Sequence, residues 1–366
     1  MGYRRLYNIR VYDQSTGDLH GIWYDGLSLE YTKKLNDIGM CVWTVHPDHP
    51  VLALIGEDDR VEVSITNGNS VVDFYAWTRD FVGVYREQQV ATDQSGNKYV
   101  ALYIPSAEET LSRSIVAYKA GTANRSEHTG QTIYGIFINV WQYNATSNGT
   151  TADGRERNAV GLNSTTPAGS NFSSTTIDYR CAWKNTLTAM QELAELGGGQ
   201  FYVSRNTSTN ALFLSAEAPT DVSSDVIFSL PLNTLGSTSL QENKMQEKTA
   251  AIVGGAGQES SRTVQVRTGP NQSSTNDYEI FVDYKDTSTT SILDDRGDIV
   301  MTDRQARQTI DGDVLQSSGY AYPNDYDLGN IVSVDFSGTV VTKQIDTVSV
   351  RFNPYMSVSI SLKDTL

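Results

Sequence analysis

Imidazoles flanking a carboxylate, paired carboxylates and clustered thiols are the residue sets that could give this chain a chemistry. His46-Pro47-Asp48-His49-Pro50 places two imidazoles and a carboxylate within five residues, donor types that a transition metal takes. Two prolines so close hold the backbone open, which favours a surface turn between strands. Asp294-Asp295-Arg296-Gly297-Asp298 is dense in oxygen donors but lacks the alternating ligands and distal glutamate of a calcium loop. It reads as a helix entry, with Gly297 turning and Asp298 capping. Glu108-Glu109 and Glu192 with Glu195 fall on expected helices, where carboxylates face water; glycoside cleavage needs two of them across one cleft. Cys41 and Cys181 lie far apart beside Trp43 and Trp183, the setting of buried thiols rather than a bridge or metal site. The 20 Tyr and 5 Trp could build a sugar platform, but Trp23, Trp43 and Tyr75 alternate within strands and read as core or interface. Phosphate-loop, zinc-protease, paired C-x-x-C and nucleophile-elbow motifs are all missing. No catalytic, cofactor-binding or metal-binding residue is assigned, no cofactor is expected, and the chain is not read as an enzyme.

The elements that would have to position any such group are mostly strands. LYNIRVYD (6–13), GIWYDGLSLEYTKKL (21–35), MCVWTVH (40–46), RVEVSIT (60–66), VVDFYAWTRDFVGVYREQQV (71–90) and KYVALYI (98–104) alternate with period two. Turn residues break them at Asp25-Gly26, 37–39, 67–69 and 95–97, a spacing that suits a barrel or sandwich. At Pro105 the period changes. Ser106 and Glu109 form a capping box before Leu111, Ile115 and Tyr118; Ile133, Ile136, Phe137, Val140 and Trp141 form a second helical stripe. A third helix starts near Tyr179, carries Trp183, Leu187, Met190, Leu193 and Ala194, and stops at Gly197-Gly198-Gly199. The strands QFYVS (200–204) and ALFLS (211–215) follow. Residues 144–176, rich in Asn, Ser, Thr and Gly, are expected to be a mobile loop; Asn-x-Ser/Thr triplets at Asn144, Asn148, Asn163 and Asn171 carry no weight without a secretory route. Strands return at VIFSL, KTAAIVGG, RTVQVRT, YEIFVDY, IVSVDF, VTKQIDTVSVRF and SVSISL, with a short helix near 299–310. The resulting fold class is α+β, mainly β. Three domains are expected: a tube-like β-barrel domain at 1–104, an α/β insertion domain at 105–220 with its mobile loop, and a second tube-like β-barrel domain at 221–366.

At 366 residues, with 43 acids against 28 Lys and Arg, the formal charge of -15 argues against stable nucleic-acid binding. The flanks hold most of it: 14 acids against 9 bases in 1–104 and 20 against 11 in 221–366, whereas 105–220 hold 9 against 8. No apolar run approaches the ~20 residues of a membrane span, and MGYRRLYNIRVYD lacks a signal core. The expectation is a soluble product of a cytoplasm, with no stable membrane insertion.

One device recurs. DYDLGNIVSVDF (325–336) and GEDDRVEVSI (56–65) each run an acidic turn into an alternating strand, and each is followed by a return strand, read at 345–350 and 80–85. Two such modules would form a degenerate internal repeat. Together with the strand, Leu-Asn and Gly corner of 27–39, with Leu187 to Gly199 and the hairpin after it, and with Tyr326 to Val334, this layout resembles the baseplate or tail-tip hub of tailed bacteriophages, the siphophage tail-associated hub-like family. Asn330 stands where that family usually has Asp, which leaves the turn intact. The resemblance implies a structural hub: a homotrimer in which two tube-like domains per chain make a pseudo-sixfold ring at the virion tail tip. It would join the distal tail or tail-tube ring protein, the tape measure protein and receptor-binding or fibre proteins, with DNA in passage only. The chain stops at Leu366 without a lysozyme-like or fibre-like extension, so a bare hub is implied. A cell-wall glycan hydrolase and a carbohydrate- or receptor-binding module of the tail tip are the alternatives.

Overall fold

Branched and aromatic side chains at every second position need a pleated surface with one dry face, and most of the chain supplies it. The computed structural model describes residues 6–66, 77–117, 126–146, 162, 171–285, 287–315, 320–336, 338–353 and 355–365. The first flank forms β1 (Tyr7–Tyr12), β2 (Leu19–Trp23), β3 (Ser28–Lys34), β4 (Asp37–Val45), β5 (Arg60–Thr66), β6 (Trp77–Val84), β7 (Glu87–Thr92) and β8 (Lys98–Pro105). The middle holds α1 (Glu109–Ser112), β9 (Glu127–Thr132), α2 (Ile133–Asn144), β10 (Thr176–Arg180), α3 (Thr186–Gly197), β11 (Gln200–Arg205) and β12 (Leu212–Glu217). The second flank forms β13 (Ile227–Ser229), β14 (Leu235–Asn243), β15 (Ala250–Gly254), β16 (Val264–Thr268), β17 (Glu279–Asp283), α4 (Thr290–Asp303), β18 (Arg307–Val314), β19 (Ile331–Phe336), β20 (Thr339–Phe352) and β21 (Met356–Asp364). The protein is mainly β with few helices, as its alternation leads one to expect.

The two flanks share one sheet. Its long path runs β14-β18-β21-β20-β3-β4-β8-β7, with every neighbouring pair antiparallel. The joint between flanks is β20 against β3, where Val350 pairs with Tyr31 and Phe352 with Leu29. A four-stranded sheet, β2-β1-β5-β6, covers the first flank. One core runs between these layers and across the joint, and includes Ile9, Val63, Tyr31, Trp43, Leu102, Val350 and Ile360. Each fully buried branched side chain there contributes about 1.5–3 kcal/mol. The middle segment has its own core under α2 and α3, and α4 lies on the small sheet β16-β15-β17, with its Leu293 and Met301 against Ala251 and Val253.

Asn185 caps α3 and Gly198, with φ of 65°, ends it, as the glycine run implied. Other boundaries differ. The helix expected at 299–310 lies at Thr290–Asp303, so Gly297 and Asp298 sit inside it rather than at its entry, and 307–310 begin β18. The glycine is there because a Cβ would overlap the Arg267 side chain of β16. The helix after Ser106 is a single turn: Ser106 Oγ accepts from Gly39 N rather than capping α1, and Ile115 lies beyond the last helical residue. Tyr179 belongs to β10, and Trp183, 63% exposed, precedes α3. β9, β10, β14 and β18 are strands that the alternation did not announce. The expected turn at 67–69, Tyr75, Tyr118, Asn148, Asn163 and most of the 144–176 loop lie outside the described residues; of that loop, Asn144 closes α2 and Thr176 opens β10.

Candidate functional site

The acidic turn at 325–336 is built from its own side chains. Asp327 N donates to Asn330 Oδ1 (2.8 Å), Leu328 N donates to Asp327 Oδ1 (2.7 Å), and Gly329 takes a φ of 81° that side-chain-bearing residues avoid. Gly329 N and Asn330 O then bond Ile345, which fixes the corner onto β20. The turn also delivers Asp327 to a buried polar lock. Lys33 Nζ of β3 lies 2.6 Å from Asp327 Oδ1 and 2.7 Å from Asp80 Oδ1 of β6. Asp80, whose side chain is 1% exposed, also accepts from Tyr31 OH (2.5 Å) and Tyr322 OH (2.8 Å). Burial works against the Lys33 charge, but Asp327 and Asp80 outweigh it and hold the ammonium above the usual lysine range. Burial, with Asp80 beside them, pushes the Tyr31 and Tyr322 hydroxyls well up, so they stay protonated donors. The lock ties the first flank to the loop ahead of β19, at the rim of a cavity of about 360 Å³ also lined by Glu108, Gln200 and Glu217.

A second clasp docks the middle segment. Every residue of β5 is buried: Val61, Val63 and Ile65 enter the core, and Glu62 on the other face takes Arg79 Nη1 and Arg205 Nε, each at 2.9 Å. Arg205 stacks over the Tyr12 ring at 3.6 Å and donates to Asn210 Oδ1.

The long sheet itself repeats. In chain order, β3, β4, β7 and β8 occupy one half; β14, β18, β20 and β21 occupy the other. Across the sheet each half runs first, second, fourth, third, so that the third strand of one half meets the first strand of the other at β20 and β3. β5 and β19 hold the same place in both halves, and these are the strands that follow the two acidic turns. The return strand equivalent to β6 is the first part of β20, which pairs with β19 from Thr339 to Gln344; 345–350, expected in that role, continue instead into the shared sheet. Two edges stay open: among the described residues no strand pairs with the outer side of β7 or of β14.

A family model described as Siphovirus ReqiPepy6 Gp37-like protein matches residues 8–358. The chain belongs to this Gp37-like family. No curated protein matches it by sequence. Solved structures share its fold. The 43 kDa tail protein of prophage MuSo2 from Shewanella oneidensis aligns with a TM-score of 0.58 at 9% identity, covering 98% of this chain and 97% of that one. A tail protein from Neisseria meningitidis MC58 gives 0.58 at 11%, covering 99% and 97%. Prophage tail protein gp18 from Listeria monocytogenes EGD-e gives 0.53 at 11%, covering 97% and 94%. The phage-tail resemblance drawn from the corner motifs is thereby borne out in family and in fold.

In this Gp37-like chain the sequence candidates do not converge on a reaction centre. His46 faces Asp48, while His49 faces Asp25 at 3.5 Å and packs edge-on against the Trp43 ring. Asp295 accepts from Asp178 N and Asp298 pairs with Arg267, so this acidic run fastens α4 to β10 and β16. Glu109 pairs with Arg113, Glu192 with Lys184 and Tyr179, and Glu195 with Arg307. Glu108 is buried and accepts from Val203 N at 2.7 Å; burial, the largest influence on it, lifts its carboxyl above the ordinary range. Cys41 and Cys181 are free and buried, and burial pushes the Cys181 thiol up to about 12. Asp13, His20 and Asp59 could each offer a ligand atom to one ion, but Asp13 Oδ1 accepts from Ser15 N and Thr16 N, and Asp59 from Gln14 N, Gly56 N and His20. Sequence reading missed the Asp80–Lys33–Tyr322 lock and the Glu62–Arg205 clasp, whose members are separated by up to 294 positions and share no local spacing.

Proposed function

We propose that this chain is the hub of a phage tail tip or baseplate: a homotrimer whose six half-sheets line a ring, matching a threefold component to a sixfold tail tube. The observation that carries this reading is the tandem repeat of strand order with one edge left open at each end. A third strand already meets a first strand inside the chain at β20 and β3. The same contact between copies would pair β7 of one with β14 of the next, a heterologous interface whose repetition closes or continues without limit. Closure removes both exposed edges, which a soluble protein otherwise has to guard. Each half-sheet with its covering strands is then one tube-like β domain.

The face of the long sheet turned away from the core suits a bore. It presents Thr32, Thr44, Thr347, Ser349, Ser359 and Ser361 with Asp311 and Asp313, and forms a shallow groove around the last six of these, on β18, β20 and β21. Of its cations, Arg351 is held by Glu30, Lys363 by Asp346 and Arg307 by Glu195. Phosphates passing such a wall meet mostly hydroxyls and like charge, with Lys34 opposite Thr347 the exposed ammonium among the described residues of that face, so DNA would find few cations to exchange for counter-ions and would pass without sticking. The tube ring above, the tape measure protein in the bore and receptor-binding or fibre proteins below are the partners this placement implies, in the virion tail tip. Sedimentation of the purified chain tests the reading. A three-chain particle at high protein concentration supports it; a monomer at every concentration, with and without a tail-tube ring protein, refutes it.

A further inference from the structure

The repeat specifies more than a neighbour; it specifies which residue meets which. We infer that β7 and β14 of adjacent copies join antiparallel in a single register, with Val90 of one copy directly opposite Leu240 of the next. This inference rests on the trimeric reading above and deepens it to side chains.

The register follows from the two halves laid over each other. Val100, Leu102 and Ile104 are the inward row of β8, and Val358, Ile360 and Leu362 are the inward row of β21. On the strand beside each, those rows face Val45, Trp43 and Cys41 in the first half and Val314, Gly312 and Ile310 in the second. One strand further out, Cys41 faces Tyr31 of β3 and Ile310 faces Leu240 of β14, so Leu240 occupies the position of Tyr31. On the opposite side, Val90 faces Val100 and Val350 faces Val358, so Val90 occupies the position of Val350. Inside the chain Val350 is paired with Tyr31.

Exposure separates the finished junction from the open ones. Tyr31 and Val350 are both 0% exposed, whereas Leu240 is 40% and Val90 66% exposed. The free edges thus carry an aliphatic side chain at one of the two register positions that the internal junction keeps dry with apolar groups from both strands; at the other, Leu29 opposite Phe352, the counterparts are Thr238 and Thr92. The flanking positions are compatible. Thr32 and Ser349 share a hydroxyl hydrogen bond of 2.9 Å in the internal junction, and their counterparts are Gln241 and Gln89, two amides able to bond each other. Glu242 falls opposite Gln88 and Glu87 opposite Asn243, so no carboxylate meets another across the seam. A slip by one residue would turn Val90 and Leu240 to opposite faces. The occupant of each edge is therefore a second copy of this chain, bound through its other edge.

Cysteine pairs test the register apart from the ring. Val90 and Leu240 are exposed, so V90C and L240C leave the fold intact, and the native thiols Cys41 and Cys181 are buried. Mixing single V90C with single L240C protein under mild oxidation should give covalent dimers, and the double variant should give linked trimers. The one-residue-slipped combination, V90C with Q241C, should stay largely unlinked, because its side chains point to opposite faces. Sedimentation of the reduced proteins runs alongside. Trimers that link through the slipped pair, or through neither pair, would overturn the register and leave the hub reading standing. Reduced protein that stays monomeric, with no link in any combination, would overturn both.

Discussion

Asp80→Ala removes the centre of the polar lock, and its cost can be worked from the contacts. The carboxylate is 1% exposed and serves three donors: Lys33 at 2.7 Å, Tyr31 at 2.5 Å and Tyr322 at 2.8 Å. Alanine would leave the Lys33 ammonium with Asp327 alone, whose side chain is 43% exposed, and would strip Tyr31 of its acceptor inside the core. Breaking a buried pair on one side costs about 3–5 kcal/mol, and a buried hydroxyl left without a partner about 1–3 kcal/mol; the two overlap, because the cavity admits water to some of these groups. We expect about 4 kcal/mol for Asp80→Ala and roughly half that for Asp80→Asn, which keeps an acceptor and loses the charge. Urea unfolding followed by tryptophan fluorescence would read this as a lowered midpoint at unchanged slope. Asp327→Asn, at the wetter end, should cost less than either. A loss below about 1 kcal/mol for Asp80→Ala, the range of ordinary surface changes, would refute the view that this cluster ties the first flank to the loop before β19.

Glu108→Gln should match or exceed the wild type at neutral pH. The folded carboxyl is raised above its ordinary value by burial, so ionising it costs stability as pH rises through that value, and the advantage of Gln should shrink as pH falls below the ordinary glutamate range, which thermal unfolding against pH would follow. Asp58 carries the opposite sign: burial lifts its carboxyl, but Arg113 and Arg86 outweigh this and bring it below the usual aspartate range. Its contribution is present above that range and lost as pH falls through the depressed value, so wild type and Asp58→Asn should converge in stability in acid. Gly329→Ala should cost more than about 1 kcal/mol in the same unfolding assay, because a side chain there is strained by a φ of 81° and would overlap Gln200 Oε1. Cys41 and Cys181 should resist a thiol reagent in the native protein and react fully in denaturant.

What the sequence made legible was local. The strands of the first flank, the stripe of α2, the glycine stop of α3 and the hairpin after it all announce themselves by period and turn chemistry, and the acidic turns at 56–59 and 325–330 point to β5 and β19. The strands it hid are those whose side chains do not alternate between oil and water. β14 reads LGSTSLQEN and, at an open edge, packs against a strand on one side only; β18 reads RQTIDGDV, with Gly312 where the other half has Trp43. Those two strands, with β20 and β21, make the second half-sheet, so the repeat shows in strand order and pairing long after it has faded in identity. The lock and the clasp were out of reach for a different reason: Lys33 with Asp327 and Glu62 with Arg205 are neighbours only after the sheets have formed. Gly297 misled because a glycine chosen for close approach to Arg267 looks the same in sequence as one chosen to turn the chain.

Electron cryomicroscopy of the purified chain, imaged down the symmetry axis, would show whether the half-sheets line a ring. A threefold ring around an open centre is expected, its wall a continuous sheet to which each copy contributes the eight strands of its two half-sheets. A particle without a central opening, or copies joined through surfaces other than the β7 and β14 edges, would contradict it.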